Sequence, residues 1–131
     1  MKKTVLIVED DVLLHKFYKY IFERVGIQPI ITEDAEAVLD HLKNEPTHLI
    51  IMDINLKNTY LNGQKIDGIK LSRNIKLNPD YSKIPILLVT AYSLSSKEHS
   101  ILDESLANGI IVKPIVDYNV FLNTINNLIL N

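Results

Sequence analysis

No cysteine occurs among the 131 residues. Disulfide bonds, thiolate zinc sites and a cysteine nucleophile are thereby excluded. Tryptophan is missing as well, so ligand binding must be followed without indole fluorescence. No apolar stretch approaches the ~20 residues that a bilayer-spanning helix needs. Met1-Lys2-Lys3-Thr4 leads into only a short apolar run before charge arrives. That is too short for the core of a secretion signal, and the expected location is the cytoplasm. An excess of one charge is absent too. Lysine and arginine number 14 against 16 acids, a net charge of −2, so neither nucleic acid nor a membrane is an expected partner. Repeats, low-complexity tracts and linkers are not visible. What is present is 47% apolar and 23% charged, the composition of a chain that buries a core within one domain.

The apolar residues come in short, regularly spaced runs. Val5-Leu6-Ile7-Val8 is continuous and β-branched, the mark of a strand covered on both faces. Residues 12–25 have helical spacing, with Leu14, Phe17, Tyr18, Ile21, Phe22 and Val25 on one arc and Gly26 closing the helix. Residues 28–32 and 49–52 predict further strands, and residues 34–44 a helix. Residues 66–77 predict a helix, 84–89 a strand, 95–107 a polar helix, 110–112 a strand and 116–129 a last helix. Strand alternates with helix five times. The expected class is α/β, a doubly wound five-stranded parallel sheet with five helices.

Chemistry collects at the carboxyl ends of the strands, the edge where open α/β sheets bind ligands. The first strand ends in Glu9-Asp10-Asp11, the third in Asp53, the fourth in Thr90 and the fifth in Lys113. Carboxylates gathered there repel, by about 4 kcal/mol per pair at ~4 Å and an effective dielectric near 20. A divalent cation or an ammonium relieves that repulsion. Oxygen-only donors with open positions favour Mg²⁺. Asp11 has two readings, an N-cap of the first helix or, with the register slipped by one, a metal ligand.

With those motifs in order, the chain resembles the receiver domain of two-component response regulators, of the single-domain, chemotaxis-regulator-like kind. The resemblance rests on Val5-Leu6-Ile7-Val8-Glu9-Asp10-Asp11, Ile50-Ile51-Met52-Asp53, Asp67-Gly68, Pro85 to Ala91, and Val112-Lys113-Pro114. It implies the flavodoxin-like receiver fold with strand order 2-1-3-4-5. It also implies one receiver domain over residues 1–131 and no output domain. Asp53 would be the phosphoacceptor, a carboxylate nucleophile. Glu9, Asp10, Asp53 and the backbone carbonyl of Asn55 would hold Mg²⁺. Lys113 would contact the phosphoryl group and transmit its presence, and Thr90 would be the switch. The Lys113–Pro114 bond would be cis. Implied partners are a histidine kinase or histidine phosphotransfer protein and a downstream protein target. The chain would catalyse only its own phosphorylation and dephosphorylation.

Three positions depart from the family pattern. Ile110 stands where the family usually has Phe or Tyr, which leaves the coupling of Thr90 to an aromatic ring open; Tyr92 is a candidate substitute or a plain loop aromatic. Lys57 stands where the family often has proline, and reads as a charge near the phosphoryl group or a solvated lysine. The segment from Asp53 to Gly68 is longer than usual and holds Asn62-Gly63. Asn-Gly is the strongest short signal for a two-residue type I′ hairpin, so the expectation there is a small hairpin or a polar loop. On the first helix Leu13 and Tyr20 fall off the apolar arc, a candidate docking surface or ordinary exposed residues.

Other functions fit the residues less well. A haloacid-dehalogenase-type hydrolase wants its nucleophile in Asp-x-Asp on the first strand, where this chain has Glu9-Asp10-Asp11-Val12. A flavin mononucleotide binder wants a Ser-, Thr- and Gly-rich first loop, whereas this one is acidic. A receiver-shaped module that is never phosphorylated would not need Asp53, Thr90 and Lys113 together.

Overall fold

The apolar runs become strands covered from both sides. In a computed structural model, which describes residues 2–91 and 97–130, β1 (Thr4–Val8), β3 (Leu49–Asp53) and β6 (Ile86–Thr90) are buried along their whole length. With β2 (Gln28–Thr32) and β7 (Gly109–Val112) they form a five-stranded parallel sheet in the order β2-β1-β3-β6-β7. Among the strands of this sheet that is the expected 2-1-3-4-5 order.

The period of two sorts the side chains between faces. Val5, Ile7, Leu49, Ile51, Leu87 and Val89 pack with Tyr18, Ile21 and Phe22 of α1 (Val12–Arg24) and Phe121 and Ile125 of α5 (Tyr118–Leu130). Leu6, Val8, Ile50, Met52, Ile86 and Leu88 face the other way. They meet Ala35, Val38 and Leu42 of α2 (Ala35–Asn44) and Leu71 and Ile75 of α3 (Gly68–Leu77). Ile101 of α4 (Glu98–Ser105) packs on that same face. Five helices thus cover both faces among the described residues.

The long segment after β3 is a hairpin. β4 (Tyr60–Leu61) and β5 (Gln64–Lys65) pair antiparallel, Tyr60 with Lys65 and Leu61 with Gln64. Asn62 and Gly63 form the two-residue loop with φ of 53° and 79°, the left-handed pair that a type I′ turn requires.

Several helix ends differ from expectation, each for a local reason. The third helix starts at Gly68, not Ile66, because Asp67 caps it by accepting from the Lys70 N–H at 2.8 Å. Ile66 instead closes the neck of the hairpin through its N–H to the Thr59 carbonyl. The first helix ends at Arg24, and Val25, expected on the apolar arc, is 48% exposed. Gly26 (φ 76°) turns the chain there, and the Ile27 N–H returns to the Phe22 carbonyl, the bond pattern of a glycine-terminated helix. The fourth helix stops at Ser105, where Leu106 takes the left-handed conformation (φ 60°). Its expected start at Ser95 lies outside the described residues. The last helix begins at Tyr118 rather than Val116, with Asp117 accepting from the Val120 N–H at 3.1 Å. The fourth strand of the main sheet, β6, runs from Ile86 rather than Ile84 and takes in Thr90. The Lys113–Pro114 peptide is cis, as the resemblance implied.

Candidate functional site: an acid cluster at the carboxyl edge

The parallel register sets the site. Val8 lies beside Met52, Asp53 beside Val89 and Thr90 beside Val112. The residues that end the strands therefore sit level with one another. Asp53, the last residue of β3, is 4% exposed, and Glu9, the first residue past β1, is 1% exposed. Carboxylate oxygens of Glu9, Asp10 and Asp53 lie within 4.8 Å of one another. Lys113 follows β7, and its Nζ lies 3.0 Å from Glu9 Oε1 and 3.5 Å from Asp53 Oδ1.

The backbone fixes these groups in place. Glu9 Oε2 accepts from the N–H groups of Asp10 and Asp11 at 3.0 and 3.1 Å. Asp53 Oδ1 accepts from the Asn55 N–H at 3.2 Å. Asp10 Oδ2 accepts from the Lys57 N–H at 3.1 Å. Asp11 turns the other way and caps α1 by accepting from the Leu13 N–H at 2.9 Å, so of its two readings the cap is the one the fold uses. Gly68 packs against the back of Asp53. A Cβ there would lie 2.0 Å from the Asp53 carbonyl oxygen, so no other residue fits without moving the strand end.

Charge in the cluster is only partly balanced. Burial pushes the Glu9 carboxyl up; Lys113 pulls it back and Asp53 repels it, for a net value of about 7. Burial works against a charged Lys113, but the Glu9 and Asp53 carboxylates outweigh it and hold the ammonium above its ordinary value. One lysine thus serves two buried carboxylates, and apart from its 3.0 Å ion pair with Lys113, Glu9 Oε1 has no hydrogen-bond partner among the described residues. A buried, under-satisfied oxygen and an all-oxygen donor set fit a hard divalent cation.

The cleft above the cluster has a volume of about 520 Å³ and is also lined by Asn55, Lys57, Asn58, Glu33 and Ala91. Thr90 is buried at the end of β6, and its carbonyl accepts from the Lys113 N–H at 2.6 Å. A second groove, of about 390 Å³, lies between α1 and α5 and is lined by Phe17, Tyr20, Arg24 and Tyr118 among others. Its lining holds no carboxylate or imidazole, whereas the cleft holds the acid cluster.

The comparisons agree with this geometry. The family model of the response regulator receiver domain matches residues 5–126. The chain belongs to that family. The polar-differentiation response regulator DivK of Brucella anthropi is 30% identical over 101 residues, covering 77% of this chain and 76% of DivK. A CheY-like receiver domain protein from Methanospirillum hungatei superposes with a TM-score of 0.78 at 27% identity, covering 98% of this chain and 94% of that one. The receiver domain of the sensor histidine kinase PA1611 from Pseudomonas aeruginosa, solved with magnesium coordinated in its active-site cleft, shares the fold. Its TM-score is 0.81 at 18% identity over the whole of both chains.

Within this receiver domain the structure brings together Glu9, Asp10, Asp53, Asn55 and Lys113, and sets Thr90 on the same edge. Ile110 is half-buried and packs on the face that carries α2, α3 and α4. Tyr92, the candidate substitute, lies outside the described residues. Leu13 and Tyr20 are exposed at 75% and 63%. Tyr20 holds the Arg24 guanidinium over its ring and accepts a hydrogen bond from it at 2.8 Å. Sequence reasoning missed Glu33 and Asn58 as walls of the cleft. Glu33 follows β2 at the same carboxyl edge, where the strand-end rule applied to the other strands would have found it, whereas Asn58 lies in the long segment after β3, whose path no motif marks. It also missed Tyr18, whose hydroxyl is fully buried with no hydrogen-bond partner among the described residues. The helical arc placed that ring inward but carries no information on what its oxygen meets.

Proposed function

We propose that this receiver domain accepts a phosphoryl group from a histidine kinase or histidine phosphotransfer protein onto Asp53, and signals through a protein-binding surface that depends on phosphorylation. The observation that carries this reading is the Asp53 carboxylate, held at the floor of an open cleft with two acids and one lysine around it. An oxygen of Asp53 attacks phosphorus, the phosphorus–nitrogen bond to the donor histidine breaks, and its electron pair leaves with the imidazole. The product is an acyl phosphate. Lys113, already 3.5 Å from Asp53 Oδ1, offers its ammonium to a phosphoryl oxygen. Glu9, Asp10, Asp53 and the Asn55 carbonyl would hold Mg²⁺, which would supply positive charge against the transferring phosphoryl group. Thr90 is the switch residue. The chain turns over no other substrate; its chemistry is confined to gaining and losing this one group.

The test is incubation with Mg²⁺ and acetyl phosphate followed by intact-mass measurement. A single phosphoryl adduct that disappears in Asp53→Asn is the expected result. No adduct with any donor, or an adduct that survives in Asp53→Asn, sinks the reading.

A further inference from the structure

The segment between Asp53 and Gly68 is tied down at two points. Its outer part is the β4–β5 hairpin, anchored on the β2–α2 junction. There the buried Thr59 hydroxyl donates to the Glu33 carbonyl at 2.6 Å, and the Thr59 carbonyl accepts from the Ile66 N–H at 2.9 Å. Its inner part reaches the acid cluster, where the Lys57 main-chain N–H donates to Asp10 Oδ2 at 3.1 Å. That donor exists because residue 57 is not proline, which has no N–H to give.

A carboxylate has two oxygens, so one engaged by an N–H leaves the other for a cation. A ligating carboxylate held this way has its orientation set before the cation arrives, and loss of such a supporting bond typically weakens metal binding by about 10- to 100-fold. We infer that Lys57 is a positioning residue, acting through its main-chain N–H rather than its amine. It holds Asp10 in its cation-binding orientation and so links cation binding in the cleft to the order of the β4–β5 hairpin. The link is reciprocal: the factor by which the anchored hairpin favours the cation is the factor by which the cation favours the anchored hairpin. The inference rests on the reading of the cleft as a Mg²⁺ site.

The experiment compares wild type, Lys57→Ala, which keeps the N–H and removes the amine, and Lys57→Pro, which removes the N–H. Mg²⁺ binding is measured by calorimetry. Amide exchange of residues 57–66 is measured with and without Mg²⁺. Lys57→Ala should bind as tightly as wild type or slightly more so, having lost an exposed positive charge. Lys57→Pro should bind about tenfold more weakly. In wild type, Mg²⁺ should slow exchange at Lys57, Gln64 and Ile66, whose N–H groups are the ones engaged at the cluster and in the hairpin ladder, and in Lys57→Pro that protection of the hairpin should vanish. The exchange measurement on wild type stands even if the proline variant does not fold. Equal binding by the alanine and proline variants overturns the inference, as does hairpin exchange in wild type that ignores Mg²⁺. Wild type that accepts phosphate and binds Mg²⁺ in either case leaves the phosphoreceiver reading intact. Wild type that binds no Mg²⁺ removes the magnesium site and this inference with it.

Discussion

Two single residues carry tests of how the cleft is built. Tyr18 is fully buried among Phe17, Phe22 and Phe121, and its hydroxyl has no hydrogen-bond partner among the described residues. Burial, joined by the Glu9 and Asp53 carboxylates, holds the phenol above its ordinary titration range. A hydroxyl stripped of water and left unpaired costs about 1–3 kcal/mol. Tyr18→Phe should therefore stabilise the domain by about 1 kcal/mol, read from the urea midpoint at unchanged slope. A destabilised Tyr18→Phe would mean that the hydroxyl is satisfied, for instance by a buried water. Gly68 is the opposite case. A methyl group there would overlap the Asp53 carbonyl oxygen, 2.0 Å away, and crowd Ile54 Cα at 2.9 Å. Both are main-chain atoms and cannot swing aside. Gly68→Ala should destabilise by about 3 kcal/mol or more and slow phosphoryl uptake from acetyl phosphate, because the strand end that presents Asp53 must shift.

At the level of elements, the hairpin is the clearest case of a local signal deciding local structure. Asn62 and Gly63 take the positive φ values that the turn requires, and nothing lies within 4 Å of a Cβ added at Gly63. Gly63→Ala thus meets no clash and only the left-handed penalty, about 1 kcal/mol. It should raise amide exchange at Gln64 and Ile66, whose N–H groups belong to the hydrogen-bonded pairs of the hairpin, while leaving the global unfolding midpoint nearly unchanged. An equal shift of both would mean that the hairpin unfolds only with the core. The strands were legible for a similar reason: a β-branched run buried on both faces has no polar position to confuse its period. Helix ends were less legible. Ile66 has the right spacing from Ile69 to look helical, yet it serves the hairpin, because an apolar residue looks the same on either side of a cap. The site was legible wherever it is made of side chains at strand ends, as with Glu9, Asp10, Asp53 and Lys113. It was not legible where it is made of main-chain donors, since the N–H of Lys57 leaves no mark in residue type beyond the absence of proline.

For the whole molecule, the acid cluster ties stability to pH. The sheet brings Glu9 and Asp53 together from separate strands and buries both, so folding itself creates the repulsion. Burial first, with Asp53 added, holds the folded Glu9 carboxyl at about 7 against an ordinary 4.5, even with Lys113 beside it. Between those two values folded Glu9 keeps a proton that unfolded Glu9 has lost. The unfolded state then binds fewer protons, so the stability slope with pH is negative there. Glu9's contribution is fully present below about 4.5 and is lost as pH rises through about 7, a decline of about 3 kcal/mol at most. Other carboxylates superimpose their own dependence, so the informative quantity is the difference between wild type and Glu9→Gln. Measured by urea unfolding in a chelator, to keep divalent cations away, that difference should shrink steadily from pH 4.5 to pH 7. A difference that stays flat across the window would show that Lys113 alone neutralises the cluster and that folding leaves Glu9 charged.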